Sequence, residues 1–251
     1  MLRTETDGPV VRLTLDRPDV RNAFNETLIR ALTEAFAGLP SGTRAVVLSG
    51  EGKAFCAGGD LEWMRQAASY SEEQNFEDAM RLAELFQAIA DCPACVIARI
   101  HGAAFGGGCG LVAASDVAIA REDSLFAFSE ARLGLIPATI SNFVIPKIGH
   151  GNARWLFTTA ETFDAPTALR VGLVHDVVSA ESLDAAIAKR VEAVLKCGPQ
   201  AVASAKRVCT KGPYPLQDSA RALAAARSGA EGMEGVAAFL EQRPASFVRE
   251  L

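Results

Sequence analysis

After a polar N-terminal stretch, "VVRLTL" at residues 10–15 has the apolar run of a strand, and the turn-prone "DRPDVRNA" closes it. Leu28, Ile29, Leu32, Phe36 and Leu39 then recur at helical spacing until "LPSG" stops them. "AVVLSG" at 45–50 and "CVIARI" at 95–100 are continuous apolar runs, the mark of strands buried on both faces. Between them, "EGKAFCAGGD" reads as a loop. Asp60 is placed to cap a helix beginning at "LEWMRQA", and a longer helix carries Leu82, Leu85, Phe86 and Ile89 on one stripe. "DVAIA" and "SLFAF" predict two more strands, followed by a loop at "EARLGLIP". From about residue 139 the pattern is helical apart from a strand at "HDVV". Leu183, Ile187, Val191, Val194 and Leu195 mark an amphipathic helix, with two further helices expected after it. The pattern predicts an α/β core over residues 1–190 and a helical region over 191–251 packed onto it, with no flexible linker between them.

A chain of 251 residues is long enough for one well-buried core. Its formal net charge of −5 argues against general affinity for nucleic acid, so an anionic ligand needs locally placed Lys, Arg or backbone donors. Six cysteines, at 56, 92, 95, 109, 197 and 209, lack the density of a disulfide scaffold. "MLRTETDGPVVRLTL" has no apolar segment of signal-peptide length, and no run reaches membrane-spanning length, so a cytoplasmic protein without a membrane partner is expected. "CPAC" at 92–95 stands alone between a helix and a buried strand, and His101, His150 and His175 are scattered, so no metal site is expected.

Two places share one design of buried strand, glycine-rich loop and helix start. One is Ala57-Gly58-Gly59-Asp60, and the other is Gly106-Gly107-Gly108. A helix N-terminus presents unpaired N–H groups and partial positive charge, and two such ends aimed at one point would hold a developing oxyanion. Each loop alone is equally compatible with a plain strand-to-helix turn. Phosphate-loop readings fail in detail: Val47 stands where a P-loop needs glycine, and Leu111 where the dinucleotide fingerprint needs its last glycine or alanine. Glu130 follows the strand "SLFAF" in the company of Phe128, Leu133, Leu135 and Ile136, which would raise its pKa and suit it to acid–base work. A surface or ion-paired glutamate is the alternative reading.

"GKAFCAGGDLEWM", "IHGAAFGGGCGLVAASDVAIA" and "FSEARLGLIPA", in this order, resemble the crotonase family, the enoyl-CoA hydratase/isomerase superfamily. The likeness extends from "RPDVRNAFNETLI" to "EGVAAFLEQRPASF", nearly the whole chain. It implies a spiral of β-β-α units followed by helices that build a homotrimer or a dimer of trimers. It also implies that Gly59 and Gly107 form an oxyanion hole for an acyl-CoA thioester and that Glu130 is the catalytic glutamate. The substrate's coenzyme A would lie along Arg21, Ala23, Lys53, Ala57, Gly58, Asp60 and Leu61, with Phe239 and Arg243 reaching a neighbouring subunit's CoA. No permanently bound cofactor is implied.

At Gly110 the sequence departs from the family's two-carboxylate hydratases, which carry a second glutamate there. The implied activity is reversible hydration of a 2-enoyl-CoA. The alternatives are a double-bond isomerase working with one carboxylate and an acyl-CoA-binding homologue without catalysis. "GDLEWM", "GAAFGGGCGLV" and "SEARLGLIPATIS" are most similar to bacterial methylglutaconyl-CoA hydratases. Arg132 would then face the substrate's distal carboxylate, or else be a solvated loop charge. Trp63 and Met64 fit either a helix bordering the acyl pocket or ordinary core packing.

Overall fold

The computed structural model describes residues 1–212 and 214–250. Strands β1 (Leu2–Asp7) and β2 (Val10–Leu15) form an antiparallel hairpin at one edge of a six-stranded sheet. From β2 the sheet continues in parallel through β3 (Ala45–Gly50), β4 (Cys95–Ile100), β6 (Val117–Arg121) and β9 (Asp176–Val178). A second, three-stranded sheet joins β5 (Ala103–Phe105), β7 (Leu125–Ala127) and β8 (Thr162–Asp164).

The continuous apolar runs have a direct cause. On β3, Val46 and Leu48 face a core shared with α1 (Glu26–Ala37), α3 (Glu72–Asp91) and α4 (Gly107–Ala114). Ala45 and Val47 face the other way, onto Leu183, Ile187, Val191 and Leu195 of α7 (Leu183–Leu195). A strand covered on both sides has no place for polar alternation. Helix starts follow the cap chemistry: the Asn25 side chain accepts from the Leu28 amide, and Ser71 and Gln74 form a reciprocal capping box.

The structure adds what short or polar segments conceal. β1 reads "LRTETD" and is almost wholly exposed, so its strand pairing leaves no apolar pattern. β5 and β8 are three residues each, too short to show a period. Among the described residues three helices, not two, follow α7: α8 (Pro199–Lys211), α9 (Leu216–Ser228) and α10 (Ala230–Leu240). Only Gly229 separates the last two, and α9 has no buried residue, so nothing in its pattern isolates it. Among the described residues, no helix is long and apolar enough to cross a membrane.

Candidate active site

The two glycine loops are brought together by β pairing. Phe24, in the turn before α1, donates its amide to the Gly58 carbonyl (2.7 Å), and the Asp60 amide donates to the Phe24 carbonyl (2.8 Å). This parallel bridge engages the residues flanking Gly59, so the Gly59 N–H points to the opposite side. The second loop is stitched to the first by Cys56, whose amide donates to the Ala103 carbonyl and whose carbonyl accepts from the Phe105 amide. Gly107 is the first residue of α4, so its N–H belongs to the turn that no helical carbonyl can satisfy. No side chain caps that helix end. Two unengaged backbone donors therefore stand on adjoining loops.

The glycines are there for separate reasons. Gly106 adopts φ 50° and ψ −117°, a conformation that L side chains rarely take. A Cβ on Gly108 would overlap the Cys56 carbonyl, because α4 starts against the first loop's backbone. At Gly107 a Cβ would come within 2.8 Å of the Phe24 ring. At Gly107 and Gly108 the demand comes from packing, and at Gly106 from the backbone conformation.

Glu130 opens a 3₁₀ turn after β7, and a Cβ on Gly106 would stand 3.4 Å from its Oε1. Its Oε2 is buried and has no hydrogen-bond partner among the described residues. Burial raises its pKa above the ordinary carboxyl value. The expected neighbours differ from those found: Phe128 is fully buried, but Leu133, Leu135 and Ile136 are exposed, Ile136 by 77%. The 3₁₀ turn of Glu130–Leu133 and the bend after it carry those side chains outward. The carboxyl is desolvated by its position against the second loop instead.

The α4 face carrying Gly110 is closed. A Cβ there would stand 2.6 Å from Phe86 Cζ and 2.6 Å from Ile140 Cγ2, where Ile140 lies in α5 (Ala138–Thr159). The space that a second carboxylate would need is filled by Phe86, which packs edge-on to Phe24 and also against Phe143. Beside Gly59, Met64 and Trp63 of α2 (Leu61–Ala67) would meet an added Cβ at 3.3 and 3.6 Å, so both border the first donor. The Trp63 indole Nε1 is buried without a hydrogen-bond partner among the described residues.

Arg17, unremarked in the sequence reading, ties this region together. Its guanidinium donates to the Ala23 carbonyl and to Asp60 Oδ2 (2.7 Å), while the other Asp60 oxygen accepts from the Glu62 amide and caps α2. Burial would raise the Asp60 pKa, but the bonds from Arg17 and Glu62 outweigh it and hold the carboxyl below its ordinary value. Asp60, expected along the nucleotide, thus has its side chain engaged in the fold, since a buried anion needs its cation close. The only hint in sequence was the "RP" of a turn.

The other expected coenzyme contacts lie around the same turn. Arg21 is exposed, and its carbonyl accepts from the Ala57 amide (3.0 Å). Ala23 and Gly58 are buried, Ala57 is half-buried, and Lys53 and Leu61 are exposed. Buried Asn22 binds the Glu51 and Ala54 carbonyls and so docks the turn onto the loop carrying Lys53. Far along the chain, Phe239 is exposed, whereas Arg243 grips Glu234 at 2.7 and 3.0 Å within its own chain.

Cys92 and Cys95 are buried free thiols, Cys95 pushed up to about 12 by burial, so neither is poised as a thiolate. His101 is pinned by its Nε2 contact to the Gly52 carbonyl (3.0 Å).

The sequence profile of the family described as "Enoyl-CoA hydratase/isomerase" matches residues 5–250. A Rhodobacter capsulatus protein named "Probable enoyl-CoA hydratase" is 34% identical over 254 aligned positions, taking in 98% of this chain and 97% of that protein. Among solved structures, an enoyl-CoA hydratase from Shewanella pealeana is similar with a TM-score of 0.93 at 37% identity, covering 98% of this chain and 95% of the other. An enoyl-CoA hydratase/isomerase from Marinobacter aquaeolei has a TM-score of 0.93 at 34% identity, with 99% of each chain covered.

Proposed function

The chain belongs to the enoyl-CoA hydratase/isomerase family, and on that premise we propose that it adds water reversibly to a 2-enoyl-CoA through a thioester enolate held by Gly59 and Gly107. The observation that carries this reading is the position of Glu130. A desolvated carboxyl, its Oε2 without a hydrogen-bond partner among the described residues, lies against Gly106, one residue from the first amide of α4.

The chemistry follows from these groups. Ionised Glu130 takes a proton from water as its oxygen bonds to C3, and the C2–C3 π electrons move toward the thioester oxygen. The two N–H groups bind that oxygen more strongly as it gains charge, which lowers the barrier. Glu130 then returns its proton to C2, so one carboxyl completes the addition. Coenzyme A arrives with the substrate, along Arg21, Lys53 and the Ala57–Leu61 loop, and no resident cofactor takes part. For the acyl group the favoured substrate is methylglutaconyl-CoA. Arg132, exposed two residues beyond Glu130, would then meet its distal carboxylate.

The filled space at Gly110 favours a second reading, a double-bond isomerase in which Glu130 alone moves a proton between the α and γ carbons. Turnover of crotonyl-, methylglutaconyl- and 3-enoyl-CoA in ¹⁸O-water decides: label at C3 supports hydration, and unlabelled bond migration supports isomerisation. Binding without turnover would leave an acyl-CoA-binding protein.

We assign residues 191–251 to subunit contacts in a trimer or dimer of trimers. Leu216, Phe239 and Leu240 are each at least 75% exposed, and a cleft of about 640 Å³ opens between α8, α9 and α10. Apolar side chains this exposed on adjacent helices favour burial against another chain.

A further inference from the structure

The N-terminal pole of α4 supplies one donor of the proposed oxyanion hole, and its opposite pole is held by a cation. Lys147, on α5, donates through Nζ to the Ser115 carbonyl (2.5 Å) and the Val112 carbonyl (3.2 Å). These carbonyls lie at and just beyond the C-terminal end of α4, where the helix carries partial negative charge. Two other groups meet here. Asp116, the next residue, accepts from the Val96 amide and pairs with Lys206 of α8 at 2.7 Å. His175 accepts the Ala118 amide on Nδ1, and burial lowers its pKa, which keeps the ring neutral. Asp116 and Lys206 cancel, so Lys147 leaves the C-terminal end of α4 with one net positive charge.

Resting on the oxyanion reading above, we propose that Lys147 is a positioning residue of the active site. It fixes the far end of α4, and its charge strengthens the field that the Gly107 pole exerts on the enolate. Eight residues of helix put the two ends about 12 Å apart. The ammonium and the oxyanion each lie about 3 Å beyond those ends, and a unit charge at about 18 Å through an effective dielectric constant of about 20 is worth roughly fivefold in the stability of an anion. Burial also pulls the Lys147 pKa down to about 8, with Asp116 opposing the shift. The charge, and with it the effect, is present at neutral pH and lost as the pH rises through that value. A partly desolvated cation at the pole opposite a reaction centre fits an electrostatic role.

The test uses acetoacetyl-CoA, whose thioester enolate has its own ultraviolet band, bound to the wild type, Lys147→Met and Lys147→Arg. In Lys147→Met the bound enolate-to-keto ratio should fall about fivefold, kcat should fall about fivefold, and KM should stay within twofold. Lys147→Arg should retain the wild-type ratio. It should also lack the loss of enolate that the wild type shows between about pH 7.5 and 9, since guanidinium does not titrate there. An unchanged ratio in folded Lys147→Met overturns the proposal, and so does an alkaline loss in Lys147→Arg equal to the wild type's. If Lys147→Met does not fold, the Arg comparison decides alone. A wild type that stabilises no bound enolate overturns the oxyanion reading itself, and that result is read without any variant.

Discussion

Glu130 and Gly106 face each other across the second loop so closely that a methyl group on Gly106 would stand 3.4 Å from Glu130 Oε1. Oε1 thus lies against bare backbone, and burial of the carboxyl raises its pKa. The positive end of α4 begins at the residue after Gly106.

Glu130→Gln keeps the shape and removes the proton acceptor. Turnover should fall by roughly 100- to 10,000-fold with acyl-CoA affinity retained. In the wild type the rate should fall as pH drops through a value above the ordinary carboxyl 4.5, because only the ionised form accepts water's proton. Stability should move the other way. A carboxyl whose folded pKa is raised destabilises the fold at pH above its unfolded value, so the Gln variant should melt at or above the wild-type temperature near pH 7. A tenfold rate loss, or a markedly lower melting temperature, would count against the assignment.

Gly107→Pro and Gly107→Ala separate the amide from the side chain. Both place a Cβ against the Phe24 ring, but only proline removes the N–H, and the first helical position otherwise tolerates it. Kinetics on folded protein should show the proline variant about 100- to 1000-fold slower than the alanine variant. Equal rates would mean that this amide does not hold the oxyanion.

Gly110→Glu would insert the carboxylate of two-base hydratases where Phe86 and Ile140 already stand, 2.6 Å from the new Cβ. Overpacking alone costs about 1–3 kcal/mol, and a buried charge adds to it. A lower melting temperature and no gain in ¹⁸O incorporation are expected. A stable variant with much faster hydration would show that the native site holds water poorly.

Arg17→Ala strands the Asp60 carboxylate and frees the Ala23 carbonyl. Breaking such a pair by removing one partner costs about 3 kcal/mol, equivalent to roughly 6–12 °C in Tm for a chain of this size. The pair's contribution is complete above the ordinary Asp value of 3.8 and is lost as pH falls through the lower folded value. The gap in calorimetric Tm between variant and wild type should therefore close in acid. A gap that is absent at pH 7 would remove Arg17 from the architecture of the site.

Sedimentation should give three or six times the chain mass, and Phe239→Asp with Leu240→Asp should lower it. Both side chains project from α10 into solvent in the single chain. A stable monomer at micromolar concentration would reject the assembly.

Local chemistry was legible in the sequence because it depends on neighbours in the chain. Strands covered on both faces announced themselves as apolar runs, Asp60 as a helix cap, and the two glycine loops as strand-to-helix junctions. The motif order also pointed to the family. What depends on residues far apart was hidden until the chain folded. Arg17 meets Asp60 across 43 positions, and Lys147 reaches back 32 to the end of α4. Phe86 fills the space beside Gly110, and Leu133, Leu135 and Ile136 turn away from the glutamate they were expected to surround. A side chain's type fixes which interactions it can make. Which of them it does make is decided by the direction of its Cα–Cβ bond and by the element packed against it, and only the tertiary structure sets both.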